Sequence, residues 1–285
     1  MAMEWKLVAR PGVAALERFL SEHEPAAVAV SERIRRAYLD KRLRSGGRVY
    51  LIPGEAAVYH GPGGFFSPFG LSRISPEGRR ARLLADIRKI TGSFLRLHSI
   101  MGATEDVRLL ESALSSDVRH RIDYDLLSLP WQSFPPIEPP PDPELHVFHP
   151  RPAQWRRLLP LQIAYEMEEV LLPGRRAHPS TSRANLTHSL NTQIVLAATY
   201  RGAVVARVAT NARGYRGDQV GGVYTDPAWR GRGVARWLMT RLLADLRQHE
   251  RNASLFVKLD NRPAQELYRN LGFTFVSDFR ISYYH

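Results

Sequence analysis

Between Gly221 and Leu243 the sequence reads GGVYTDPAWRGRGVARWLMTRLL. A strand-like stretch stops at Asp226-Pro227, a loop of arginine and glycine follows, and a helical pattern begins at once. Such a helix start presents unpaired backbone N–H groups and the positive end of the helix dipole, which suits a phosphate or pyrophosphate. Gly231 and Gly233 let the backbone approach a ligand, and Arg230, Arg232 and Arg236 add charged donors. No Gly-Lys-Ser/Thr follows and GxGxxG is absent, so this is neither a P-loop nor a dinucleotide fingerprint. By itself the pattern also describes a capped surface helix with its arginines in solvent.

A second cluster is Tyr165-Glu166-Met167-Glu168-Glu169-Val170, at the end of an expected helix. On a 3.6-residue period Glu168 shares a face with Leu161, Tyr165 and Leu172, and Glu166 with Leu159, Ile163 and Val170. A carboxylate on an apolar stripe is a candidate for a raised pKa, suited to taking a proton from an ammonium. A solvated acidic helix end would read the same way. His178 and His188 stand alone, no His/Asp/Glu set has metal-ligand spacing, and no metal is expected. Cysteine is absent, which excludes disulfides, thiolate metal sites and an acyl-cysteine intermediate.

These residues carry a resemblance. Arg230-Gly231-Arg232-Gly233-Val234-Ala235 resembles the R/Q-x-x-G-x-G/A signature of the GCN5-related N-acetyltransferase (GNAT) superfamily. Val223-Tyr224-Thr225-Asp226-Pro227 is similar to the end of that family's fourth strand. Asp260-Asn261-Arg262-Pro263-Ala264, Leu267-Tyr268 and Leu271-Gly272-Phe273 resemble its second signature, and order and spacing agree from Asn191 to Tyr284. The resemblance implies acetyl-CoA as cofactor and direct acetyl transfer to a primary amine of a peptide or small molecule. It implies that the backbone of Val223, Tyr224 and Thr225 pairs with the pantetheine arm. The amides of Gly231, Arg232, Gly233, Val234, Ala235 and Arg236, with Arg230 beside them, would hold the pyrophosphate. Asn261 would contact the arm and Ala264 would pack on the cofactor. Tyr268 would protonate the departing thiolate, a role open to a phenol whose pKa of about 10 keeps it protonated near neutrality. The helix end bearing Glu168 borders the acceptor site in that family, so Glu168 is the expected base. Thr225 stands where the family usually has valine. Phe256 stands where the ribosomal-protein N-terminal acetylases and similar relatives carry a glutamate base. More loosely, through Ser99-Ile100-Met101-Gly102-Ala103 and Met167-Glu168-Glu169-Val170, the whole chain resembles two-domain predicted acetyltransferases whose first domain has no assigned function.

The elements that must position these groups fall on either side of a proline-rich stretch, FPPIEPPPDPELHVFHPRP. Proline at that density excludes helix and central strand, so residues 134–152 read as a semi-rigid linker. It divides an α/β domain over 1–133, without catalytic signature, from an acetyltransferase domain over 153–285. The fold class expected is α/β (α+β): a mixed, mostly antiparallel sheet with flanking helices, plus a first domain that is loosely a degenerate copy.

In the first domain the patterns predict a helix over 13–43 broken near Glu24-Pro25, strands over 48–52 and 56–60, and a turn at 61–64. A helix over 77–90, a strand over 93–100, a helix over 104–114 and a strand over 122–129 follow. In the second, helices are expected over 153–172 and 182–190, then strands over 193–200, 203–210 and 219–225. A helix over 234–247, a strand over 254–258, a helix over 262–270 and a closing hairpin over 273–284 complete it. The first domain is expected to shape the acceptor site, and a fragment over 145–285 to bind the cofactor by itself.

Forty Lys+Arg against 28 Asp+Glu leave a formal charge of +12. The arginines are spread along the chain rather than clustered, so nucleic acid is a possible partner that the pattern does not favour. Two alternatives to turnover stay open: an acyl-CoA sensor or scaffold, and an RNA- or ribosome-associated protein. The first twenty residues carry scattered charges and no apolar core, so no signal peptide is expected. No apolar run could span a bilayer; the cytoplasm is the expected compartment. The acceptor and the oligomeric state are not legible.

Overall fold

The computed structural model describes residues 4–8, 14–39, 47–92, 97–114 and 117–284. The first half runs β1 (Lys6–Val8), α1 (Ala14–His23), α2 (Val28–Leu39), β2 (Arg48–Ile52), β3 (Ala56–Gly61) and β4 (Phe65–Phe69). It continues with α3 (Glu77–Thr91), β5 (Ser99–Ala103), α4 (Thr104–Leu114) and β6 (His120–Leu129). The second half runs β7 (Leu145–Phe148), α5 (Trp155–Tyr165), α6 (Pro179–Thr192), β8 (Val195–Tyr200), β9 (Ala203–Arg213) and β10 (Gly217–Thr225). After these come α7 (Val234–Arg247), β11 (Asn252–Lys258), α8 (Arg262–Asn270) and β12 (Thr274–Tyr283). The ends of the expected segments 13–43 and 93–100, at residues 13, 40–43 and 93–96, lie outside the described residues.

Each half therefore has the same order: strand, two helices, three strands, helix, strand, helix, strand. All twelve strands form one sheet in the order β1-β2-β3-β4-β5-β12-β6-β11-β10-β9-β8-β7. That order is a palindrome of the two halves in which the last strands have changed places. β6 pairs with β11 of the second half, β12 pairs with β5 of the first, and the two pair antiparallel with each other. Leu127 and Leu129 on β6 are buried in the second half's core with Trp237, Leu242, Leu255 and Tyr268. The segments 1–133 and 153–285 thus do not close separate sheets, because each needs the other's final strand. The expected closing hairpin is corrected to one strand with a bulge between Phe275 and Ser277. It has no need to fold back, since β5 and β6 supply both of its neighbours.

The linker is also more built than its prolines suggest. Phe134 and Leu145 are buried, and β7 forms the edge of the sheet, paired with β8. Besides β7, two strands escaped the sequence patterns, β1 through its shortness and β4 through Pro68. Proline is tolerated there because β4 has parted from β5, the last β4–β5 pair being Phe66 with Ile100.

Helices cover both faces. α7 lays Leu238, Met239, Leu242 and Leu246 on the sheet, as its apolar stripe requires. α3 and α4 pack on the first half's equivalent face around Val58, Phe66 and Ile100. α1 and α2 pack on Leu51, Ala57 and Phe65, and α5 and α6 on Val195, Ala197 and Ala209. Because side chains alternate across a strand, the register from Ile100 through Ser282 and Arg121 to Leu127 puts α3, α4, α7 and α8 on one side. α1, α2, α5 and α6 share the other.

The halves are pinned at the base of β10. The Glu24 carboxylate, in the turn between α1 and α2, accepts the backbone N–H groups of Tyr215, Arg216 and Gly217 at 2.7, 2.9 and 2.9 Å. Among the described residues no helix is long and apolar enough to cross a membrane.

Candidate functional site

β10 and β11 run parallel and pair only at Gly217–Asn252, Asp218–Ala253 and Gln219–Ser254. Beyond that point they splay. On its other edge β10 slips register against β9 between Gly221 and Tyr224. Gly222, with φ of 58°, sits in that bulge, a backbone that side-chain-bearing residues rarely adopt. Val223, Tyr224 and Thr225 consequently border the open wedge with no strand beside them on the β11 side. The hydroxyl oxygen of Thr225 is buried without a partner.

The wedge leads to the arginine–glycine loop. Gly231 and Gly233 have φ of 72° and 79°. A Cβ at Gly231 would meet nothing within 4 Å. Gly233 is the N-cap of α7 and has no side chain to cap it, so the first-turn amides of Val234, Ala235 and Arg236 are free for an anion. This loop fits a pyrophosphate. The arginines are less available than their number implies. Arg230 donates to Glu168 at 2.7 Å and Arg236 to Glu138 of the proline-rich stretch at 2.6 Å. Arg232 lies over the Trp229 ring at 5.0 Å, and among the described residues it forms no ion pair.

Across the wedge, Asn261 caps α8 by accepting the Ala264 N–H at 3.2 Å and donates to Glu169 at 3.1 Å. Ala264 and Leu267 pack against the same core as α7. Tyr268, 7% exposed, stacks edge-on with Phe273. Burial raises its pKa, and the nearby Tyr165 and Glu169 push the same way, so its hydroxyl holds a proton throughout the neutral range.

The acidic cluster departs from expectation. After Tyr165 the chain widens into a π-turn over Glu166–Val170, closed by the Leu171 N–H on the Glu166 carbonyl at 2.8 Å. The extra residue in that turn shifts the faces read from a 3.6 period. Glu166, not Glu168, is buried, and it accepts hydrogen bonds from Gln162 at 2.7 Å, Asn185 at 3.0 Å and Ser182. It ties α5 to α6. Glu168 turns out to the wedge, where it takes the Arg230 guanidinium and the Tyr224 hydroxyl at 3.1 Å. The Arg230 hydrogen bond outweighs desolvation and lowers its pKa. The raised pKa expected of Glu168 is thus corrected to a depressed one, which makes it a weaker base. Glu169, which pairs with Lys258 at 3.4 Å, is the carboxylate whose charge acts on Tyr268.

The first half repeats the strand–turn–helix geometry but closes it. The carboxylate of Asp106, 4% exposed, accepts the N–H groups of Gly70 and Ser72 at 2.7 Å each in the turn after β4. Ser67 bridges to the Met101 carbonyl of β5 at 2.8 Å. α3 follows Pro76 and begins with Glu77, so its first turn carries negative charge where α7 presents glycine. Among the described residues no group of three acidic or histidine side chains could hold a metal ion.

Comparison with known proteins agrees with this arrangement. Residues 155–273 match the model of the acetyltransferase (GNAT) family. No curated protein matches the chain. A GCN5-related N-acetyltransferase from Kribbella flavida is 17% identical, aligned over 90% of this chain and 96% of that one, with a TM-score of 0.55. Another from Sphaerobacter thermophilus is 16% identical over 99% and 96%, with a TM-score of 0.52. A tandem GNAT protein from the clavulanic acid biosynthesis pathway is 12% identical over 84% and 78%, with a TM-score of 0.54. At these identities the likeness is one of fold.

Proposed function

We propose, from the match of residues 155–273 to the acetyltransferase (GNAT) family model, that the protein transfers the acetyl group of acetyl-CoA directly to a primary amine. The observation that carries this is the splay of β10 from β11, which opens at Val220 and leads to the uncapped, glycine-lined start of α7. A narrow thioester arm fits between the strands and a pyrophosphate fits at the helix end. When bound, acetyl-CoA supplies an activated acyl group.

Gly231, Arg232, Gly233, Val234, Ala235 and Arg236 hold the diphosphate through backbone N–H groups, and Arg232 adds the free guanidinium. Val223, Tyr224 and Thr225 present backbone to the arm and place its carbonyl against fixed dipoles, where polarisation costs no reorganisation. Asn261 lines the opposite wall with Ala264. Tyr268 gives its proton to the leaving sulfur, which its retained hydroxyl proton permits. Glu168 holds Arg230 and Tyr224 in place rather than acting as base. Glu169, beside Tyr268, is the carboxylate nearest the amine. The first half is a degenerate copy whose own anion site Asp106 fills, a reading that the tandem architecture of the clavulanic acid pathway protein supports.

Tyr268→Phe tests this assignment. Thiol release from acetyl-CoA with an amine present should fall by roughly 10²- to 10⁴-fold, while acetyl-CoA affinity by calorimetry stays near that of the wild type. Undiminished turnover would make Tyr268 a packing residue, and an intact chain that binds acetyl-CoA without releasing thiol would be a sensor.

A further inference from the structure

The exchanged strand β6 brings a side chain of the first half to the reacting end of the second. Register places Tyr124 opposite Lys258 of β11 and opposite Phe279 of β12. Tyr124, Phe256 and Phe279 therefore lie on one face, the face shared by α1, α2, α5 and α6. Phe256 stacks on Phe279 at 4.0 Å and meets Tyr124 at 6.3 Å. Phe279 is 1% exposed, whereas Tyr124 and Phe256 keep part of their surface open. The three rings form a floor that crosses the exchange.

This floor is continuous with the site. Tyr124 lies within electrostatic reach of Tyr165 and Glu169, the two groups that also act on Tyr268. Lys258, its neighbour in register, pairs with Glu169. Along the rim stand three exposed apolar side chains: Met167 and Val170 on the π-turn, and Leu259 just after Lys258. Electrostatics narrows the occupant. Glu168 already holds Arg230, and Glu169 already holds Lys258. Asp260, which also acts on Tyr124 and forms no ion pair among the described residues, is left as a single carboxylate, enough for one ammonium but not for a polycation, and the wall is aromatic.

We propose that the acceptor is a monoamine bearing an aromatic or bulky apolar group, seated on Tyr124 and Phe256 with Phe279 packed beneath them, and that Tyr124 is a specificity-determining residue supplied by the first half. This deepens, and rests on, the acetyl-transfer assignment above. An aromatic substituent gains from offset or edge-on contact with such rings beyond its area of burial. Its amine then points at the wedge, between Glu169 and Tyr268.

The test uses the full chain with acetyl-CoA and four probes: phenylethylamine, tryptamine, spermidine and glycinamide. Thiol release should show kcat/KM at least tenfold higher for the two aromatic amines. Tyr124→Ala and Tyr124→Leu should raise KM for the aromatic amines about tenfold and leave that for glycinamide unchanged, while Tyr124→Phe stays close to wild type. Acetyl-CoA affinity, unaltered in all three variants, serves as the check on folding. Release driven equally well by spermidine or glycinamide, or an unmoved KM in the alanine and leucine variants, would overturn the acceptor inference alone. Release by none of the four would instead overturn the transfer reaction on which it rests.

Discussion

At Gly233 the backbone must hold φ at 79° while leaving the first turn of α7 uncapped. Glutamate at this position strains the backbone and puts a carboxylate where an anion is to sit. Gly233→Glu is therefore expected to abolish acetyl-CoA binding, and unchanged affinity by calorimetry would remove the pyrophosphate assignment. Glu168 is governed by a different balance. Its folded pKa lies below the ordinary carboxylate value because Arg230 hydrogen-bonds the ionised form. It stays charged as pH falls through the ordinary carboxylate range, so it cannot set an acidic limb between about pH 5 and 7. Glu168→Gln should leave the shape of the pH–rate profile intact and lower its height, since Arg230 and Tyr224 lose their anchor. A limb that vanishes in the variant would restore Glu168 as the base.

At the scale of elements, the β6–β12 pair decides whether the site exists. Arg280 on β12 donates to Asp123 on β6 at 2.7 and 3.0 Å, joining the two exchanged strands. That pairing lowers the pKa of Asp123. A carboxylate depressed on folding adds stability above its unfolded pKa of about 3.9, and the contribution is lost as pH falls through the lower folded value. Asp123 is partly exposed, so solvent screening keeps the effect to about 1 kcal/mol. Asp123→Asn should lower the midpoint of thermal unfolding at pH 7, and the difference from wild type should shrink as pH falls through the lowered folded pKa of Asp123. A gap that persists in acid would mean the two strands are held by packing alone.

For the whole molecule the strand exchange changes what a fragment can do. Residues 145–285 lack β6, and with it Leu127 and Leu129 of the core and the partner strand of both β11 and β12. With β5 absent as well, three unpaired strand edges and an opened core favour association over folding. The fragment is expected to show no cooperative thermal transition and no acetyl-CoA binding, in contrast to the independent cofactor domain that its signatures suggest. A soluble fragment with a sharp transition and bound cofactor would refute the dependence.

Much of the second half could be read from its residues. A stripe at 3.6-residue spacing specifies α7, and a turn that needs positive φ calls for glycine at 231 and 233. Asn261 ahead of Arg262-Pro263 marks the start of α8. Such signals are local, because the backbone conformation and the residue that permits it lie within a turn of each other. The π-turn, the Arg230–Glu168 pair and the exchanged strands are not local. Arg230 and Glu168 lie 2.7 Å apart across a wedge, and no spacing along the chain encodes that distance. A final strand carries the same alternating pattern whether it closes its own half or the other, since either position buries one face and pairs both edges. Tertiary packing alone decides which, and with it which half's strands flank Tyr124.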